Sequence, residues 1–196
     1  MVGPTERLGV LGGTFDPPHI GHLVAGVNAL AELSLDRVLL VVANRPWQKV
    51  GERSISPAMT RLEMVREAVA GIDGLEASDE EIIRGGDTYT IDTIDRLAAS
   101  DRSLTLIVGT DAAAGLDTWH RWRELAELVD VAVVDRPGAD ARVPSAFHAT
   151  RVEIPLLDVS SSAIRERVRD GRPIAGLVPE PVRSVIEREL LYLRAG

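Results

Sequence analysis

The sequence predicts an α/β fold: a doubly wound parallel sheet with a C-terminal helical segment. Three features lead there. Short apolar, β-branched runs recur along the chain, among them residues 8–11, 38–42, 104–108 and 131–134. Strands buried on both faces have this near-continuous apolar character. Between the runs, apolar residues recur at the spacing of amphipathic helices, and strand–helix–strand alternation makes neighbouring strands parallel. The runs at 8–11 and 104–108 end in glycine turns, Gly12-Gly13 and Gly109, at the strand edge where open α/β sheets bind ligands. At 196 residues, against roughly 150 for a typical domain, the chain reads as one domain, 1–196, with a helical subregion from about 158 to 196.

The organising stretch is Leu8 to Leu23, LGVLGGTFDPPHIGHL. A strand breaks at Gly12-Gly13, and Pro17-Pro18 holds the next residues extended, because proline fixes φ and disfavours helix before it. A helical pattern then opens at His19 and carries through Leu23, Val24, Val27 and Leu30. Val38 to Val42 is the second strand, followed by a loop from Asn44 to Lys49. Ser56-Pro57 opens a helix, with Ser as N-cap and Pro in the first position, and its inward residues are expected to be Met59, Leu62, Val65 and Val69. Leu75 to Ser78 is a short strand. Asp79-Glu80-Glu81 reads as a solvated turn or strand end without a role, and Arg84 to Thr88 as a flexible loop. A helix over about Thr90 to Ala98 turns Ile91, Ile94 and Leu97 inward. The strand Leu104–Val108, a helix from Trp119 to Leu128, the strand Val131–Val134, a loop from Ala139 to Ala149 and a last strand Arg151–Ile154 follow. Ser160-Ser161-Ser162 caps a further helix, and Pro179 to Tyr192 is a final amphipathic one.

Composition narrows the function. A net charge of −8 argues against a general nucleic-acid or membrane surface, so an anionic ligand needs a local cationic pocket. The absence of cysteine excludes disulfide and thiol chemistry and fits a reducing, cytoplasmic setting. No signal peptide and no membrane-spanning apolar run is evident. A zinc site wants partners, since His120 and His148 lack metal-type spacing. The phosphate-binding G-x-x-x-x-G-K-[ST] spacing is missing, and Gly12-Gly13 does not complete G-x-G-x-x-G.

What remains is equipment for anions. A strand, a glycine turn and a helix start present backbone N–H groups and the positive end of a helix dipole, a natural phosphate seat. His19 and His22, three apart, can share one helix face, and Gly21 between them is expected to let a ligand approach the backbone. Lys49 is the chain's one lysine, in a strand-end loop. Ser160 to Ser162, with Arg165 and Arg167 close by, would grip a polyphosphate tail. Positioning and charge neutralisation of this kind drive phosphoryl or nucleotidyl transfer.

These residues carry a resemblance. GGTFDPPHIGH, with its H-x-G-H core at His19 to His22, resembles the nucleotidyltransferase superfamily that shares this motif with class I aminoacyl-tRNA synthetases. VSSSAIR, Val159 to Arg165, resembles that superfamily's second signature. Arg84, Thr88 to Thr93, Gly109 to Ala112, Thr118-Trp119 and Arg136-Pro137-Gly138 are similar to the bacterial nicotinate mononucleotide adenylyltransferases, across nearly the whole chain. The resemblance implies a Rossmann-like sheet and a reaction of ATP, assisted by Mg²⁺, with nicotinate mononucleotide to give nicotinate adenine dinucleotide and pyrophosphate in NAD biosynthesis. It implies that His19 and His22 stabilise the transition state at the α-phosphorus. Gly12, Gly13, Thr14 and Phe15 would line the nucleotide pocket. Ser161, Ser162 and Arg165 would hold the β- and γ-phosphates, with Arg165 also catalytic, and Lys49 would add charge. The amides around Tyr89 and Thr90 would take the nicotinate carboxylate, Trp119 would stack on the pyridine ring, and Asp111 would accept from a ribose hydroxyl.

Two positions depart from the family pattern. Pro46-Trp47-Gln48-Lys49 stands where P-P-H-K is common, and Ser162 stands where threonine is commoner. The competing readings are a sister adenylyltransferase for nicotinamide mononucleotide or pantetheine phosphate, and a nucleotide-binding sensor without catalysis. No protein-bound metal, nucleic-acid partner or membrane partner is expected, and association between copies of the chain is left open.

Overall fold

In the computed structural model, residues 6–45, 55–135, 142–155 and 157–193 are described. The apolar runs become six strands: β1 (Glu6–Gly13), β2 (Arg37–Val42), β3 (Leu75–Ser78), β4 (Arg102–Gly109), β5 (Asp130–Asp135) and β6 (Ala149–Glu153). Every pairing between them is parallel. The order across the sheet is β3-β2-β1-β4-β5-β6, so the winding direction reverses between β1 and β4, and a crevice opens there above the carboxyl ends.

Alternation along each strand sorts side chains to two cores. Leu39 and Val41 join Leu8, Val10, Leu106 and Val108 on one face, under Ile91, Ile94 and Leu97 of α4 (Thr90–Leu97). Val38, Leu40 and Val42 join Leu11, Ile107 and Val134 on the other, under Ala29 of α1 (Ile20–Glu32) and Leu62, Val65 and Val69 of α2 (Ala58–Val69). Gly9 in β1 is enclosed on this side: a Cβ there would lie 2.8 Å from Val38 Cγ2 and 2.9 Å from Leu35 Cδ1.

The C-terminal helices, α7 (Ser161–Arg169) and α8 (Glu180–Arg188), build a third apolar cluster. Ile164, Val182, Val185 and Ile186 pack there with Met64 and Ala68 of α2.

Several local expectations are corrected. Three short helices stand where turns or longer helices were expected: α3 (Glu80–Arg84), α5 (Thr110–Ala114) and α6 (Trp122–Leu128). Glu81, read as solvated, is 5% exposed. α2 begins one residue late, with Pro57 as its N-cap: the Pro57 carbonyl accepts the first helical bond, from Arg61 N–H at 3.0 Å, while the Ser56 carbonyl accepts from the Arg61 side chain at 2.9 Å. Met59 is exposed, and Arg61 is buried instead. The last helix stops at Arg188, short of Tyr192.

Candidate active site

The corner after β1 is held from several directions. Phe15 sits at φ +50° with its ring buried over Gly13, where a Cβ would come within 2.8 Å of it. A side chain at Gly13 and this ring placement exclude one another. Arg61 Nη1 donates to the Thr14 carbonyl (2.8 Å), Arg165 Nη1 to that of Asp16 (2.8 Å) and Ser161 Oγ to that of Pro17 (2.8 Å). Arg61 Nη2 also reaches the Asn44 carbonyl at 3.2 Å, tying the end of β2 to the same corner.

At the start of α1 the two imidazoles stack, with centroids 3.8 Å apart. The His19 backbone N–H donates to His22 Nδ1 at 3.1 Å. That bond needs an unprotonated Nδ1, so neutral His22 carries its proton on Nε2 and can donate from there. His19 is 8% exposed. Burial pushes its pKa down to about 4, and its Nδ1 finds no hydrogen-bond partner among the described residues. Near neutrality His19 is therefore uncharged, and the positive charge at this corner comes from Arg165 rather than from that ring. The amides are also less available than expected, because Ile20 N–H donates to Leu177 O at 3.1 Å and His22 N–H to His19 O. Gly21 does not face a ligand approach; the space a side chain would take there holds the His19 ring at 3.0 Å and Val159 at 3.1 Å.

Two cavities meet at this corner. The larger, about 470 Å³, lies over the β1/β4 crevice, with an aliphatic floor that includes Val41, Leu106 and Val108. Its rim is polar and aromatic, with Tyr89 and Thr90 at the start of α4, then Trp119 and His120. The Tyr89 and His120 rings lie 4.5 Å apart. The smaller, about 330 Å³, is walled by Phe15, Asp16, Ser160 to Ser162 and Arg165. Ser160 Oγ caps α7 by accepting from Ala163 N–H, which leaves the first-turn amides of Ser161 and Ser162 without an intrahelical acceptor. Arg165 Nη2 donates to Ser162 Oγ at 2.9 Å. Gly13, Thr14 and His22 border both cavities.

The expected residues therefore divide. Gly12, Gly13, Thr14, His22, Tyr89, Thr90 and Trp119 border the larger cavity, and Phe15, Ser161, Ser162 and Arg165 the smaller. His19 stands behind His22 and borders neither. Asp111 is exposed in the first turn of α5 and also borders neither, whereas Ala112 beside it lines the larger cavity. Lys49, with Trp47 and Gln48, lies outside the described residues.

Glu81 was missed. It lines the larger cavity and accepts from Thr93 Oγ1 at 2.8 Å. Burial raises its pKa, opposed by hydrogen bonds from the Thr93 and Thr88 hydroxyls. His120, Asp16 and Tyr192 were missed as well. The sequence signals were the place of Asp16 within the GGTFDPPHIGH motif and the adjacency of Glu81 and His120 to other quoted segments.

The sequence model of the family described as Cytidylyltransferase-like matches residues 10–167, from β1 to the last turn of α7. The chain belongs to this family. Within it, full-length relatives carry the name "Probable nicotinate-nucleotide adenylyltransferase". The one from Exiguobacterium sibiricum is 41% identical over 188 residues, covering 95% of this chain and 98% of the relative. That of Acidothermus cellulolyticus is 41% identical over 204 residues, covering 99% and 98%. The chain is thus a member of the nicotinate-nucleotide adenylyltransferase group. The fold is shared with the Plasmodium falciparum nicotinic acid mononucleotide adenylyltransferase complexed with NaAD, at a TM-score of 0.75 and 16% identity, over 95% of this chain and 97% of that one. The same protein complexed with APC gives a TM-score of 0.74.

Proposed function

We propose that the chain transfers the adenylyl group of ATP to nicotinate mononucleotide, releasing pyrophosphate and forming nicotinate adenine dinucleotide. The observation that carries this reading is the meeting of two cavities at His22, one walled by a helix N-terminus with Arg165, the other by a helix N-terminus with Trp119. Two anionic substrates need two seats and one shared point of reaction. The names of the relatives support the same chemistry.

In this reading the triphosphate tail occupies the smaller cavity, with its β- and γ-phosphates on the Ser161 and Ser162 amides and hydroxyls and on the Arg165 guanidinium. The acceptor occupies the larger cavity, its carboxylate on the amides around Tyr89 and Thr90 and its ring against Trp119. An oxygen of the acceptor phosphate attacks the α-phosphorus while the bond to the bridging oxygen of pyrophosphate breaks. That phosphate, with a second pKa of about 6, is already largely deprotonated at neutral pH, so no general base is needed. His22 donates from Nε2 to the α-phosphoryl oxygens as charge builds on them. His19 fixes the His22 ring through its N–H and by stacking, and Gly12, Gly13 and Thr14 bring the backbone to the nucleotide. Arg165 offsets the charge gained by the leaving pyrophosphate.

The described residues do not offer a cage for Mg²⁺. No cluster of three or more acidic or histidine side chains suited to a metal occurs among them, and the Asp16 carboxylate beside the smaller cavity accepts from Tyr192. In this reading Mg²⁺ arrives with ATP, as part of that substrate.

No helix among the described residues is long and apolar enough to cross a membrane.

The test is incubation with ATP and nicotinate mononucleotide, following pyrophosphate and the dinucleotide. Equimolar formation of both, with nicotinamide mononucleotide a poorer acceptor, is expected. Turnover only with the amide, or nucleotide binding without turnover, would overturn the reading.

A further inference from the structure

Asp16 poses an electrostatic problem. It borders the smaller cavity, the one assigned to the triphosphate, and a carboxylate there repels a polyanion unless it is held away from it. The residue is 1% exposed, and its Oδ1 accepts from the Tyr192 hydroxyl at 2.7 Å, across 176 residues of sequence.

The donor is built to persist. Tyr192 packs against the third apolar cluster, and burial together with the Asp16 charge pushes its phenol pKa well up, so the hydroxyl keeps its proton. The chain bends sharply to place it. Beyond α8, Leu191 N–H returns to Ile186 O at 3.0 Å, and Leu190 and Tyr192 take φ values of +50° and +65°. Non-glycine residues adopt this left-handed conformation at a cost that surrounding contacts must offset.

We propose that Tyr192 is a positioning residue for the adenylyl transfer: its hydroxyl holds the Asp16 carboxylate back from the triphosphate and so sets the corner that carries Thr14 and His22. The inference rests on the assignment of the smaller cavity to the phosphates of ATP. Arg165 fixes the same residue from the other side, through the Asp16 carbonyl. Two elements of the C-terminal segment thus reach one residue of the first strand–helix corner.

The experiment compares wild type, Tyr192→Phe and Tyr192→Phe/Asp16→Asn in steady-state kinetics with each substrate varied, alongside thermal melting. Tyr192→Phe removes one oxygen. The expected result is a rise in the KM for ATP of about tenfold, with the acceptor KM unchanged within about twofold. Adding Asp16→Asn brings the ATP value back towards wild type, because the charge is gone. A Tyr192→Phe protein that melts lower but keeps its ATP KM and kcat would make the contact structural only and overturn the proposal, as would a double variant no better than the single one. If Tyr192→Phe does not fold, Asp16→Asn alone decides through binding of an ATP analogue that cannot be cleaved at the α-phosphorus. Retained or tighter binding is expected, and a tenfold loss would make Asp16 a contributor to ATP binding and refute the inference. A wild type inactive with ATP and nicotinate mononucleotide would sink the proposed function itself; activity with an indifferent Tyr192→Phe would sink only this step.

Discussion

The buried histidine before the α1 helix makes acidification a direct probe of the corner. His19 has its pKa pushed down to about 4 by burial, while the unfolded chain returns it to the ordinary value of 6.5. The neutral ring is therefore favoured in the fold. The stabilisation is fully present above pH 6.5 and is lost as pH falls, because the unfolded chain takes the proton first. At about 1.36 kcal/mol for each pH unit separating the folded and unfolded values, this one group costs the fold about 2 kcal/mol by pH 5 and about 3 kcal/mol below pH 4. Groups with lowered carboxylate pKa values, such as Glu6 between Arg37 and Arg102, lose their contribution mainly at lower pH. Glu81, raised by burial, acts in the opposite sense, since it is disfavoured when ionised. Urea unfolding at pH 8, 6.5 and 5 measures the net loss, and imidazole NMR isolates the cause. With four histidines in the chain, the His19 resonance, assigned from a His19→Gln variant, should stay still from pH 8 to 5.5 and move near pH 4. A midpoint between 6 and 7 would refute the reasoning, because it would mean a hydrated ring.

Other consequences are open to test. Gly9→Ala forces a Cβ to within 2.8 Å of Val38 Cγ2, so thermal or urea unfolding should show a loss of roughly 1–3 kcal/mol. Thr93→Val removes the donor to the buried Glu81 carboxylate. It should cost about 1–3 kcal/mol of stability and raise the acceptor KM more than the ATP KM in steady-state assays. His22→Ala should lower kcat by about 100-fold or more, the scale of losing one oriented transition-state donor, and should lower the melting temperature only modestly, through loss of the acceptor for the His19 N–H; turnover within a few-fold of wild type would remove His22 from the mechanism.

Which parts were legible in the sequence follows from where the information sits. The four central strands could be read because a parallel strand covered on both faces must be apolar nearly throughout, whereas the edge strand β6, exposed at four of its five positions, was placed two residues late. The larger amphipathic helices were legible for the same kind of reason, Ile91, Ile94 and Leu97 at helical spacing being the clearest case. Five-residue helices such as α3 and α5 span little more than one turn and leave no period to detect. Glu81 was misread because charge argues for solvent, and only tertiary partners, the Thr93 and Thr88 hydroxyls among them, make its burial tolerable. The motif at His19 to His22 was legible as a strand–turn–helix corner, but the burial that lowers the His19 pKa was not, since it depends on tertiary packing. The Tyr192–Asp16 contact joins opposite ends of the chain and has no local signature at all.

The measurement closest to the central claim is a crystal structure with nicotinate mononucleotide and an ATP analogue resistant to cleavage at the α-phosphorus. The account predicts the β- and γ-phosphates on Ser161, Ser162 and Arg165, the pyridine ring against Trp119, and the α-phosphate within hydrogen-bonding reach of His22 Nε2. A triphosphate bound elsewhere, or a His22 ring turned away from the α-phosphate with both substrates present, would contradict it.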